Sequence, residues 1–173
     1  MTSDRFISDF ERTVNSDHIH AVLGRALIIA TRFDSMCEAA VIAIEVKKNL
    51  ALKFFLTDEE YESQVNKILS KYRTLNGNIK SIGLNDNLAI ILHSARKARN
   101  NIAHSISKGL TGCLDNKFDE AYFIEKLSNL IIDIAHGDIA ISYFISLINN
   151  EPALRTECIS SYRNSIVQWV VKR

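Results

Sequence analysis

Apolar residues recur three and four positions apart along most of this chain, and nowhere do they alternate every second residue. That pattern predicts helices and no strands. The longest stripe is Ile19, Val22, Leu23, Ala26, Ile29, Ala30, Phe33, Cys37, Ala40, Val41 and Ile44, so a core helix is expected from a cap at Ser16 or Asp17 to about Asn49. A short leading helix over residues 4 to 14 precedes it. After the apolar segment NLALKFFL, the T-x-x-E of Thr57 to Glu60 is a capping box, predicting a helix over residues 58 to 75. Leu75, Asn76, Gly77 and Asn78 read as a break, and the chain on to Asn85 as a connector containing Gly83.

Leu88, Ile91, Leu92, Ala95, Ala98, Ile102 and Ile106 predict the next helix, between a cap at Asn85 or Asp86 and a stop at Gly109 and Gly112. Another long helix is expected over residues 118 to 149, with Phe118, Tyr122, Leu127, Leu130, Ile131, Ile134, Ile141, Ile145 and Ile148 on or near one face. Gly137 in its middle marks a kink or a close contact with a neighbour. Asn150 and Pro152 open a last helix to about Lys172, presenting Leu154, Cys158, Tyr162, Ile166, Trp169 and Val170. The expected architecture is an all-α, up-and-down helical bundle of four main helices plus an accessory helix, forming one domain over residues 1–173.

Composition narrows the function classes. With 173 residues, 47% of them apolar, the chain buries a core without disulfides or metal, and six glycines with one proline suit a helical protein. A net charge of +1 argues against a broad duplex-binding surface, so any contact with nucleic acid must come from local patches. Cys37, Cys113 and Cys158 form no C-x-x-C pair and fit buried thiols in a reducing cytoplasm. MTSDRFISDF lacks the apolar centre of a secretory signal. Asp133, His136 and Asp138 interrupt the most apolar later segment, so no membrane span is expected there. Neither that trio nor His18 with His20 has metal-ligand spacing, and no metal or cofactor is expected.

The candidate chemistry lies at Arg99, Asn100, Asn101, Ile102, Ala103 and His104, which spell R-N-x-x-A-H within the helix that starts near Asn85. Arg96, Asn100 and His104 follow one another at four-residue intervals and form a polar stripe, with Arg99 flanking it. Between Asp86 and Asp115 there is no acidic residue, whereas His93, Arg96, Lys97, Arg99, His104 and Lys108 all fall there. About 0.3 chance matches to R-x4-H are expected in such a chain and about 0.02 once Asn must follow the Arg, so Asn100 lifts the motif above coincidence. Asp34 and Glu38 sit one turn apart on the edge of the first long helix, as salt-bridge partners for Arg25, Arg32 or the basic helix.

These residue types suit phosphoryl transfer on RNA. A histidine titrating near neutrality takes the proton from a 2′-hydroxyl or gives one to the leaving 5′-oxygen. An arginine grips the phosphate and stabilises the charge that builds on it. Arg99, Asn100 and His104 are the candidate catalytic residues, and Arg96, Lys97 and Lys108 the candidate phosphate-binding residues. The bland alternative is a solvated basic helix face with an ordinary histidine.

The segment RNNIAH resembles the R-x4-6-H signature of the HEPN superfamily, in which a polar residue, often Asn, directly follows the Arg. The resemblance implies a small helical bundle that forms a homodimer, with two copies of the motif facing across a cleft. In catalytic members that cleft is a metal-independent endoribonuclease, typically a toxin or an antiviral-defence effector with an antitoxin or sensor partner. By 2′-hydroxyl attack such a site would leave a 2′,3′-cyclic phosphate, and single-stranded RNA is the expected substrate because in-line attack needs a flexible nucleotide. One branch of the family carries Tyr two residues after the His as a target of modification, and here Ile106 stands at that position. The alternative expectation is a non-catalytic RNA- or protein-binding module of the same fold.

Overall fold

The computed structural model describes residue 10 and residues 12–111, 118–152 and 155–172. Among them it is all helical. Six helices follow in order: α1 (Val14–Leu50), α2 (Asp58–Ser70), α3 (Leu75–Ile82), α4 (Asp86–His104), α5 (Glu120–Asn149) and α6 (Thr156–Val171). A 3-10 turn, Ala51–Phe54, extends the end of α1. Most of the expected leading helix over residues 4 to 14, together with the stop at Gly112, Cys113 and Leu154, lies outside the described residues.

Helix α1 begins one turn earlier than its sequence suggests. Thr13, in an extended conformation, is the cap: its side chain accepts from the Ser16 amide while Ser16 Oγ accepts from the Thr13 amide at 2.9 Å. Ser16 is thus the third residue of a reciprocal box rather than the cap itself. Asp17 in the first turn, and Lys47 with Lys48 in the last, complement the helix dipole. Ten of the eleven expected apolar positions on α1 are buried, and Ile44 packs partly buried at the core's edge.

Helix α5 runs through the middle, against α4, α1 and α6. Leu127, Ile131, Ile134 and Ile141 are completely buried, and this central position explains how a helix apolar enough to cross a membrane by length and composition finds partners inside the bundle. Gly137 lets it come close. A Cβ there would stand 2.4 Å from Ala95 Cβ on α4 and 2.7 Å from Phe33 Cε2 on α1. The glycine therefore serves helix contact, and α5 continues unbroken past it. Tyr122, expected on the apolar face, is 61% exposed.

Asp138, next to that contact, is a buried carboxyl side chain, 1% exposed. It accepts from Tyr162 Oη of α6 at 2.7 Å and from Arg32 Nε of α1 at 3.1 Å, tying three helices together. Burial still pushes its carboxyl above the usual carboxylate range, against the pull of both partners. Burial and the neighbouring Asp138 raise the Tyr162 hydroxyl to about 12. Thus Asp138 works as an internal clamp, and among the described residues no group of three His, Cys, Asp or Glu side chains gathers as a metal site would.

Other element boundaries also differ from expectation: α2 stops at Ser70, short of the expected end at residue 75. The segment expected as a break after residue 75 is helix α3: Thr74 caps it by accepting from Gly77 N, and Leu75, Ile79 and Ile82 bury its inner face. Gly83 ends it at φ +68, a left-handed conformation that glycine adopts without strain. Helix α6 starts at Thr156, four residues beyond Pro152. Its outer positions are also less buried than the stripe implies, since Trp169 is 49% exposed and Cys158 is exposed. Cys37 alone of the two described thiols is buried, and burial lifts it to about 12.

Candidate functional site around the motif helix

Asn85 caps α4 by accepting from the Leu88 amide at 3.2 Å, and Leu92, Ala95, Ala98 and Ile102 anchor the helix to the core. These four buried positions fix the rotation of the helix. They turn Arg96, Arg99 and Asn100 toward α1 and α3, because residues three and four apart share a face. The helix ends at His104, one turn before the expected glycine stop, and tight turns carry the chain to Gly109 at φ +80. Ile106 stays buried although it has left the helix.

Arg99 is the best-held member of the motif. Its Nη2 donates to Asp34 Oδ2 of α1 at 2.7 Å, and its Nη1 donates to Asn100 Oδ1 at 3.2 Å. The Asp34 and Arg99 side chains are each about a quarter exposed, at 28% and 26%. The pair is therefore partly shielded from water, and the guanidinium plane is fixed while its other N–H groups have no partner among the described residues. Of the partners open to Asp34, the basic helix is the one that takes it. Arg25 instead donates to the Val170 and Lys172 carbonyls, and Arg32 goes to Asp138.

Asp34, Arg96, Arg99 and Asn100 line one polar pocket of about 300 Å³. The opposite wall is the short chain from Tyr72 to Asn76, leading into α3. Arg73 there is only 5% exposed and donates to Glu45 Oε2 and to the Lys71 carbonyl, both at 2.9 Å. Tyr72 and Arg73 were not among the residues the sequence singled out. The Leu75, Ile79 and Ile82 periodicity could have signalled α3 itself, but not that the residues before it line this pocket.

The remaining candidates lie elsewhere. His104 is exposed at the C-terminal end of α4 and does not line the pocket. At 3.6 residues per turn, positions 99 and 104 are separated by roughly 140° around the axis, whereas 100 and 104 differ by roughly 40°. Lys97 and Lys108 are exposed and outside the pocket. The structure therefore brings together Arg96, Arg99 and Asn100, and leaves His104, Lys97 and Lys108 exposed outside the pocket. The loop expected beside the site at residues 110 to 117 lies outside the described residues beyond Thr111. At its start, the Leu110 carbonyl lies 2.8 Å from His20 Nε2, which ties that end to α1.

Comparison with protein-family models finds no match to this chain. No curated protein and no solved structure matches it either.

Proposed function

We propose that this chain is a HEPN-like, metal-independent endoribonuclease of the toxin or antiviral-defence kind, acting in the cytoplasm as a homodimer on single-stranded RNA. The observation that carries the reading is the fixed guanidinium of Arg99, held by Asp34 and Asn100 at the edge of a polar pocket on the motif helix. Such a group is oriented before substrate arrives and loses little entropy on gripping a phosphate.

In this reading the 2′-hydroxyl of one ribose attacks the adjacent phosphorus. Its proton passes to an acceptor, the bond to the 5′-oxygen breaks, and that oxygen takes a proton, leaving a 2′,3′-cyclic phosphate and a 5′-hydroxyl. His104 is the exchangeable proton carrier. Arg99 stabilises the charge on the non-bridging oxygens, and Asn100 orients Arg99. Lys97 and Lys108 hold flanking phosphates without reading sequence. The angular offset between Arg99 and His104 within one helix supports a composite site, in which two copies facing through α4 close both groups around one phosphate.

The test is an RNA oligonucleotide beside its 2′-O-methyl counterpart. Cutting of the RNA alone is expected; cutting of both, or of neither, overturns the reading. A second reading, a non-catalytic RNA- or protein-binding regulatory module, is favoured by one observation: His104 stands apart from the pocket where the arginines gather.

A further inference from the structure

The pocket beside Arg99 carries more cation than its carboxylates neutralise. Asp34 is taken by Arg99, and Glu45 is shared by Arg73 and by Lys71 at 3.6 Å. Arg96 has no hydrogen-bond or ion-pair partner among the described residues, and its Nε is buried. The Nε of the nearly buried Arg73 is also without a partner. A buried guanidinium N–H left without an acceptor is unfavourable unless a ligand supplies one. At the rim stands Tyr72, 89% exposed, and the walls supply the neutral side chains of Asn76 and Asn100.

We propose that this pocket binds one nucleotide unit, with its phosphate on Arg96 and Arg73 and its base stacked on the Tyr72 ring. Each component has a physical reason. The uncompensated guanidinium charge selects an anion, and the planar fork suits phosphate oxygens. A pocket of about 300 Å³ admits a phosphate with its ribose rather than a longer stretch of strand. An aromatic ring left in water beside a cationic groove is the arrangement on which unpaired bases stack, and stacking tolerates any base. The same chemistry is offered by a free mononucleotide and by one residue of an RNA strand. The nucleotide class rests on the reading of the Arg99 face as RNA-binding, and the pocket would hold the unit next to the one being cut.

The experiment is calorimetric titration of the full chain with AMP, adenosine, inorganic phosphate and 2′-O-methyl hexaadenylate, which the proposed chemistry does not cut. AMP or the hexamer should bind at least tenfold more tightly than adenosine or phosphate. Tyr72→Ala should weaken that binding about tenfold, and Tyr72→Phe should stay within about twofold because the stacking face remains. Arg96→Gln should weaken it about tenfold and lower the salt dependence by about one ion. Binding of AMP identifies a free nucleotide as sufficient, and binding of the hexamer alone identifies the strand; either sustains the site. Affinities unchanged in both Tyr72→Ala and Arg96→Gln overturn it. Failure of the two proposals is distinguishable: residue-dependent binding with no cleavage of RNA removes the nuclease and keeps the pocket. Cleavage with an unchanged KM in Tyr72→Ala removes the pocket and keeps the nuclease.

Discussion

Gly137→Ala should destabilise this protein, although helix propensity alone says the reverse. An alanine in place of glycine in a helix interior is worth about 1 kcal/mol in favour of the fold. At position 137, however, the new methyl would meet Ala95 Cβ at 2.4 Å and Phe33 Cε2 at 2.7 Å. Non-bonded carbons settle at roughly 3.5–4.0 Å, so α4 and α5 would have to part by about 1 Å. Ala95 Cβ is fixed to the backbone and Phe33 is wholly buried, so neither side chain can swing aside. Overpacking of this kind costs about 1–3 kcal/mol or more, and the backbone shift puts it at the upper end, leaving a net loss of about 2 kcal/mol. Gly24 provides the control, since no atom lies within 4 Å of a Cβ built there. Gly24→Ala should raise stability by about 0.5–1 kcal/mol, or about 2 °C in Tm. Urea unfolding followed by circular dichroism measures both. Adding Ala95→Gly to Gly137→Ala removes the shortest contact and should recover part of the loss, a coupling between neighbouring sites. If Gly137→Ala is as stabilising as Gly24→Ala, the close approach of α4 and α5 is wrong.

Three further outcomes follow from particular contacts. Because burial raises the Asp138 carboxyl, the folded state holds its proton more tightly than the unfolded chain, so this group's contribution falls as pH rises from the usual carboxylate value of 3.8 through the raised one. The stability difference between wild type and Asp138→Asn should therefore shift with pH in that window, by at most about 1.4 kcal/mol per pH unit, and a flat difference would contradict the burial. Asp17 and Glu60, lowered by hydrogen bonds to Arg12 and Thr57, act in the opposite direction and cancel in that comparison. Asp34→Ala should lower kcat for RNA cleavage about tenfold through a loosened Arg99, with KM little changed and partial rescue by Asp34→Glu; equal kcat in Asp34→Ala would remove its positioning role. Thr57→Ala, which breaks the box at the start of α2, should cost about 1 kcal/mol in that helix, read as faster amide exchange over Asp58–Ser70.

Periodicity made most of the fold legible. The α1 stripe, the α4 stripe and the centre of α5 were recoverable because a helix that buries one face must repeat apolar residues at its own pitch. What was hidden is local. Helix α3 carries Gly77 and Asn78 in an eight-residue span, so poor intrinsic propensity outweighed three apolar anchors, and packing against α1 and α4 rescues the helix. The stripes also overstated burial near their ends, where Tyr122 and Trp169 are exposed beside the buried Phe123 and Val170. At the site, spacing identified Arg96, Arg99 and Asn100 and allowed Asp34 as a partner. It could not place Arg73 and Tyr72, because their proximity is set by how α3 docks rather than by any interval along the chain. Nor does spacing alone say on which side of α4 His104 emerges, since that depends on the core anchors that set the helix rotation.

The proposed function stands or falls on metal-free cleavage that depends on His104. The decisive measurement incubates mixed RNA in EDTA with the purified wild type and with His104→Ala, and reads product ends by mass. Cyclic phosphates from the wild type, with their loss in the variant, are the predicted result; equal cutting by both proteins, or no cutting by the wild type, contradicts it.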